Sequence, residues 1–165
     1  MKRLISICGS DGDDKQLYGF ATDVAENIGR LVALRGGVIV CGGCGGVMEA
    51  VCRGAKQENG LTVGILPYDK DSCNDFIDIA IPTRLGHIRN FLVSGTGDVT
   101  IAIGGRWGTL NEIAHRMIIE KPLILIKGSG GCVDEIINGN LMQDIESHYH
   151  VASSAEEAVE LAFDL

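Results

Sequence analysis

The sequence predicts an α/β fold of three layers, with helices on both faces of a mainly parallel central sheet. Three observations carry this. Apolar strand-like runs, turns and amphipathic helical stretches repeat in that order at least five times, the rhythm that parallel strands joined by right-handed helical crossovers require. The 23 glycines cluster directly after the apolar runs, as site-building turns rather than linkers. The chain has 165 residues and is 45% hydrophobic, enough for one sizeable core and a single domain over residues 1–165.

Each element follows from local spacing. Leu4 to Cys8 reads as a short buried strand, and Gly9-Ser10-Asp11-Gly12-Asp13-Asp14 as the turn after it. Leu17, Phe20, Ala21, Val24, Ala25, Ile28, Leu31 and Val32 recur at helical spacing, so residues 15–34 form an amphipathic helix, ended by Gly36-Gly37. Val38 to Cys41 is a second strand with the turn Gly42-Gly43-Cys44-Gly45-Gly46; the helix after it carries Val47, Met48, Val51, Cys52 and Ala55 on one face. Leu61 to Leu66 is a third strand, ended by Pro67, and Phe76 to Ile81 alternates as a short edge strand would. Arg84 to Ser94 reads as a helix with Ile88, Phe91 and Leu92 inward. Val99 to Ile103 is a β-branched central strand. A helix from Thr109 to Ile119 follows, with Leu110, Ile113, Ala114 and Met117 buried. Leu123 to Ile126 is the next strand, then the turn Gly128-Ser129-Gly130-Gly131 and a short helix from Val133 to Ile137. Tyr149 to Ala152 closes the sheet. Ser153, with Glu156 three residues on, caps a last helix that buries Ala155, Ala158, Val159 and Ala162.

Composition narrows the function. Lys and Arg number 14 and Asp and Glu 22, a net charge of −8. That balance argues against nucleic-acid polymers and anionic membranes as partners, which need a basic surface, but not against a small phosphorylated ligand. No leader pattern follows Met1-Lys2-Arg3, and no apolar run approaches the ~20 residues that span a bilayer, so a cytoplasmic protein is expected. Its six cysteines are then thiols. Cys41-Gly42-Gly43-Cys44 has C-x-x-C spacing, yet no second pair or nearby histidine completes a zinc set. A strand-end cysteine followed by a loop cysteine is the better reading, and no metal site is expected.

The dinucleotide, phosphate-loop and nucleophile-elbow patterns are absent. What remains is three glycine turns expected on the carboxyl edge of the sheet, where such folds bind ligands. They supply Gly9 and Ser10; Gly42, Gly43, Gly45 and Gly46; and Gly104, Gly105, Arg106, Trp107, Gly108 and Thr109 as ligand-binding candidates. The third turn runs into a helix, whose free N–H groups and dipole suit a phosphate. Thr109 and Glu112 have capping-box spacing, so Glu112 has two readings: a cap, or a carboxylate that meets ribose hydroxyls or positive charge developing on the ring. Arg89 is either a solvated helix residue or a partner of phosphate and Glu112. Trp107 stacks on a ring of the ligand or plugs the core beneath the turn. The E-x-x-H spacing of Glu112 and His115 lacks the second pair of a di-metal bundle, and His148 and His150 read as surface residues.

Gly104-Gly105-Arg106-Trp107-Gly108-Thr109-Leu110-Asn111-Glu112 resembles the P-G-G-x-G-T-x-x-E motif of the Lonely Guy family, once described as lysine decarboxylases. Arg89-Asn90 resembles that family's Arg-Lys pair, and the turns at Gly9-Ser10 and Gly42 to Met48 match its first two. The resemblance implies a Rossmann-like fold. It also implies a phosphoribohydrolase that splits a nucleoside 5′-monophosphate into base and ribose 5-phosphate, with Arg89 and Glu112 as the catalytic pair and the phosphate on the Gly104–Thr109 turn. Ile103 stands where the motif has proline and Asn90 where the pair has lysine. Both departures are more similar to a sister branch, the molybdenum-cofactor-carrier-like proteins. That branch implies a binding or carrier protein, with a nucleotide or molybdenum cofactor as bound ligand rather than a required cofactor. The family also implies a homodimer or higher homo-oligomer.

Overall fold

The computed structural model describes residues 1–14, 19–139, 141 and 148–165. Seven strands form one sheet: β1 Leu4–Gly9, β2 Val38–Cys41, β3 Leu61–Leu66, β4 Ile79–Pro82, β5 Val99–Ile103, β6 Leu123–Ile126 and β7 His150–Ala152. Every pairing is parallel, in the order β4-β3-β2-β1-β5-β6-β7. Six α-helices cover it: α1 Gly19–Leu34, α2 Val47–Gln57, α3 Asn90–Thr96, α4 Trp107–Ile118, α5 Gly131–Ile137 and α6 Ala155–Asp164. The architecture is the expected Rossmann-like α/β fold.

Strand alternation sorts side chains between the two helical layers. Ile5, Ile7, Ile39, Ile101, Ile103, Ile124 and Ile126 pack under α1, α2 and α6. Cys8, Ala102, Leu123 and Leu125 meet Ile113 of α4 and Val133 of α5, while Val40 and Ile65 meet Val93 of α3. Helices α1 and α2 cross in near contact. A Cβ on Gly29 would collide with the Val51 carbonyl, and one on Gly54 with the Glu26 carbonyl, so only glycine fits at the crossing. The chain leaves β1 for β2 on one side and returns to β5 on the other. The crevice at this switch point opens between the turns that follow β1 and β5.

The bounds of β2, β3, β5 and β6 are those the sequence predicts. Other elements differ. The first part of the expected helix 15–34, including Leu17, lies outside the described residues, and Phe20 at the start of α1 is exposed. The edge strand is β4, three residues later than expected, because Asp78 turns back to accept from the Thr62 N–H and from Lys56. Residues 86–89 form a 3₁₀ turn before α3. The expected inward face there is wrong: Ile88, Phe91 and Leu92 are exposed, and Arg89, Asn90, Val93 and Ser94 are buried. Polar groups go inward because partners await them; the Ser94 hydroxyl, for example, donates to the Asn90 carbonyl at 2.9 Å.

Helix α4 begins at Trp107 with Arg106 as its N-cap residue, two positions before the expected start, so Thr109 and Glu112 form no capping box. Its buried face is Thr109, Glu112, Ile113 and Arg116, while Ala114 is exposed. Arg116 is fully buried because its guanidinium donates to the carbonyls of Pro122, Ser94, Gly97 and Asp98. At α6 the cap is Ser154, one residue later than expected; its hydroxyl accepts from Glu157 N while Glu157 accepts from Ser153 N. The expected buried face of α6 is present. No helix among the described residues is long and apolar enough to cross a membrane.

Candidate functional site

A cleft of about 210 Å³ opens at the switch point. Its walls come from four segments. The β1 turn supplies Gly9, Ser10, Asp11 and Asp13; the start of α4 supplies Arg106, Gly108, Thr109 and Glu112; the 3₁₀ turn and first residue of α3 supply His87, Arg89 and Asn90; Cys8 and Met48 complete it. Among the sequence candidates, Gly9, Ser10, Arg89, Arg106, Gly108, Thr109 and Glu112 therefore share one cavity.

The remaining candidates stand behind it. Ser10 Oγ accepts from Gly105 N and Ser129 Oγ from Gly104 N, each at 2.8 Å, so both glycine N–H groups are satisfied within the protein. The donors that face a ligand are then those of the first turn of α4, which lack intrahelical acceptors. Gly104 and Gly105 sit at φ of 61° and 89°, the left-handed region that the sharp turn needs. Gly42, Gly43, Gly45 and Gly46 do not line the cleft. Gly42 makes room for Arg89: a Cβ there would stand 2.5 Å from Nη2 and 2.8 Å from Met48 Sδ. Gly46 packs on the β1 turn, where a Cβ would collide with the Ser10 carbonyl, and Val47 N donates to that carbonyl at 2.9 Å. The carbonyls of Gly43 and Cys44 accept from Asn74 Nδ2. The second glycine turn thus buttresses the first and seats Arg89.

Arg89 and Glu112 meet at the base. Arg89 Nη1 lies 3.5 Å from Glu112 Oε1, with both side chains buried. The same nitrogen donates to Asn90 Oδ1 at 2.6 Å, and Asn90 Nδ2 donates to the Gly108 carbonyl and to Asn111 Oδ1. Arg89 Nε is buried with no hydrogen-bond partner among the described residues. Burial pushes the Glu112 carboxyl up to about 8, and the opposing pull of Arg89 is too small to bring it back. Burial thus favours the protonated form of Glu112. At the mouth, Arg106 Nη2 pairs with Asp13 at 2.6 Å and Nε lies 3.8 Å from buried Asp14.

Trp107 is 83% exposed, which removes the core-plug reading. It borders a second, apolar recess of about 390 Å³ with Ile88, Phe91 and Asn111, which shares His87, Asn90 and Gly108 with the cleft. His115 turns away from Glu112; its Nδ1 lies 2.8 Å from Ser94 Oγ and its ring meets the edge of Phe91. His148 and His150 are exposed. Cys41 ends β2 and has Cys52 Sγ, not Cys44, as its thiol neighbour at 3.6 Å; no group of three potential metal ligands occurs among the described residues. The sequence reading missed Cys8, Asp11, Asp13, Met48 and His87 as lining residues. The acidic turn after the first strand was the signal for Asp11 and Asp13; Met48 was assigned wholly to the core.

The model of the SLOG cluster4 family matches residues 2–159. An uncharacterised protein of Archaeoglobus fulgidus is 42% identical over 130 residues, 75% of this chain and 83% of that one. A probable cytokinin riboside 5′-monophosphate phosphoribohydrolase of Oryza sativa subsp. japonica is 25% identical over 99% of this chain and 77% of its own. Among solved structures, the molybdenum cofactor binding protein of Rippkaea orientalis superposes with a TM-score of 0.85 at 35% identity, over 99% of this chain and 97% of that one. The molybdenum cofactor carrier protein of Chlamydomonas reinhardtii gives 0.83 at 27% identity, over 100% and 98%. With a family match across nearly its whole length and relatives of both kinds, the chain belongs to the SLOG cluster4 family, in a branch shared by Lonely Guy-like and molybdenum-cofactor-carrier-like proteins.

Proposed function

We propose that this chain is a binding or carrier protein for a small phosphorylated ligand, a nucleotide or a molybdopterin-type cofactor carried as cargo. The observation that carries the reading is the cleft in which the start of α4 and buried Arg89 converge beside buried Glu112. A phosphate would sit on the N–H groups of Gly108 and Thr109, with Arg89 as charge partner and Arg106 released from Asp13 to close over it. A ring system would extend into the apolar recess against Trp107. The cleft alone is smaller than the ~300–1,000 Å³ typical of ligand sites, and the recess that adjoins it supplies the remainder. These donors fit the phosphate end of a molybdopterin; Arg89 and the α4 N–H groups would hold it, and the metal's chemistry would belong to the cargo.

The second reading is a nucleoside 5′-monophosphate phosphoribohydrolase, favoured by the juxtaposition of Arg89 and Glu112 and by the rice relative. A carboxylate that steadies positive charge on ribose must be ionised, and burial disfavours that form of Glu112. In this reading Glu112 is instead the acid that protonates the departing base. Incubation with a panel of nucleoside monophosphates separates the two. Binding without free base supports the carrier; base release that Arg89→Ala and Glu112→Gln abolish establishes the hydrolase. Native mass spectrometry of freshly purified protein would reveal a co-purified ligand.

In this reading residues 1–165 form one ligand-binding domain in the cytoplasm. The exposed face of Ile88, Phe91, Leu92, Trp107 and Ile118 is the surface through which two copies pair, so that the recess and the ring it would hold lie at their seam. Light scattering should report a dimer, and Phe91→Glu a monomer; a monomeric parent protein would refute the pairing.

A further inference from the structure

Asn90 is 3% exposed, and its carboxamide is committed on both sides. Oδ1 takes a proton of Arg89 Nη1 at 2.6 Å, while Nδ2 reaches Gly108 O at 3.4 Å and Asn111 Oδ1 at 3.3 Å, both on α4. One amide thus fastens the guanidinium to the helix that carries Glu112. The consequence lies in the distances. Arg89 Nη1 and Glu112 Oε1 are 3.5 Å apart, beyond the roughly 2.7–3.2 Å of an N–H···O bond. One of the two N–H groups of Nη1 is given to a neutral amide at 2.6 Å, and that short contact fixes the nitrogen at its distance from the carboxyl instead of letting it close to a charge-assisted bond. Nη2 is held against Gly42, and Nε has no partner among the described residues.

The groups around Glu112 do not replace that bond. Cys8 of β1 and Cys132 of α5, whose thiols burial pushes up, act on it from two sides, and Cys41 of β2, which the neighbouring Cys52 thiol pulls down, acts from a third. His87 and Arg106 line the same cleft, and Arg106 is paired with Asp13. Asp11 lines the cleft as well, Arg89 meets Glu112 only across 3.5 Å, and burial favours the protonated form of Glu112.

We propose that Asn90 is a positioning residue: it holds the Arg89 guanidinium off Glu112 and so keeps its charge available to an anion entering the cleft, an anion receptor in which Glu112 is the neighbouring group that competes for Arg89. The ligand rests on the phosphorylated-ligand reading above; the positioning role does not.

Two measurements keep these apart. The first needs no ligand: carboxyl-carbon NMR titration of protein labelled at glutamate, with Glu112→Gln to assign the resonance. Asn90→Ala should lower the Glu112 midpoint by about one unit or more, because the freed Nη1 closes on the carboxylate. Asn90→Ser, whose hydroxyl is too short to reach, should do the same and stands in if the alanine variant fails to fold. Midpoints unchanged in a folded variant overturn the positioning role. The second uses inorganic sulfate, whose charge is constant over the range. Calorimetry should show binding roughly tenfold weaker at about pH 9 than at about pH 6.5, as the Glu112 carboxylate forms and cancels Arg89. Glu112→Gln should abolish that dependence; a dependence that persists assigns it to another group and overturns Glu112 as the competitor for Arg89. Absence of sulfate binding at both pH values overturns the receptor and the phosphorylated-ligand reading, while the NMR midpoints still decide the role of Asn90.

Discussion

The two helical layers on this sheet are built by different rules. Under α1, α2 and α6 the buried faces are almost wholly apolar, and α1 and α2 touch backbone to backbone through Gly29 and Gly54. Under α3 and α4 the buried faces carry Arg89, Asn90, Ser94, Thr109, Glu112 and Arg116, while Ile88, Phe91, Leu92 and Trp107 face outward. Buried polar side chains cost stability unless each is partnered, so one layer serves mainly to hold the sheet and the other gives up stability to hold a site. The polar layer is then where a single side chain should matter most.

Arg116→Met tests this most severely. It removes the guanidinium from four carbonyls, of which Ser94 and Pro122 keep Thr100 as a donor while Gly97 and Asp98 lose theirs, and urea unfolding should show a loss of about 3–5 kcal/mol. In the apolar layer the comparable break is steric. Gly54→Ala drives a methyl into the Glu26 carbonyl and forces α1 and α2 apart, at a cost of about 1–3 kcal/mol. A loss larger than that of Arg116→Met would reverse the ranking of the layers.

Glu112 sharpens the comparison through pH. Its folded-state carboxyl titrates at about 8, against about 4.3 in an unfolded chain. The proton is therefore bound more tightly in the folded state. The stability that goes with it is complete below about pH 4.3 and lost as the pH rises through about 8. Glu112→Gln keeps the group neutral, so thermal melts should show little difference from the parent near pH 4. Near pH 8 the variant should gain several kcal/mol, on the order of 10 degrees in Tm. A variant that is less stable at pH 8 would mean that Glu112 is held ionised.

The same contrast explains what could be read in the chain. Strands β2, β5 and β6 are buried on both faces and β3 nearly so, and their apolar runs, broken only by Thr62, Gly64 and Thr100, mark them without further context. The faces of α2 and α6 follow helical spacing because nothing but packing decides them. The faces of α3 and α4 violate the same rule. No local pattern tells that Arg89 finds Asn90 and a seat at Gly42, or that Arg116 finds four carbonyls contributed by other segments. At the site, the glycine turns were legible from motif spacing, while spacing left Arg89 open and only the resemblance implied its relation to Glu112. The division of labour among the glycines was not legible, since Gly42 and Gly46 are explained by what a Cβ would strike across the fold. The start of α4 moved because a helix can open on Trp107 with no side-chain cap at all.

Ser10 and Ser129 have a consequence for the kinetics of binding. Each hydroxyl accepts from one of two successive N–H groups, so the ends of β1 and β6 are stitched to the loop after β5 before any ligand arrives. Loops that are ordered in advance lose little chain entropy on encounter. Entry should then be limited by diffusion and by the opening of the Arg106–Asp13 contact, not by folding of the loop around its guest.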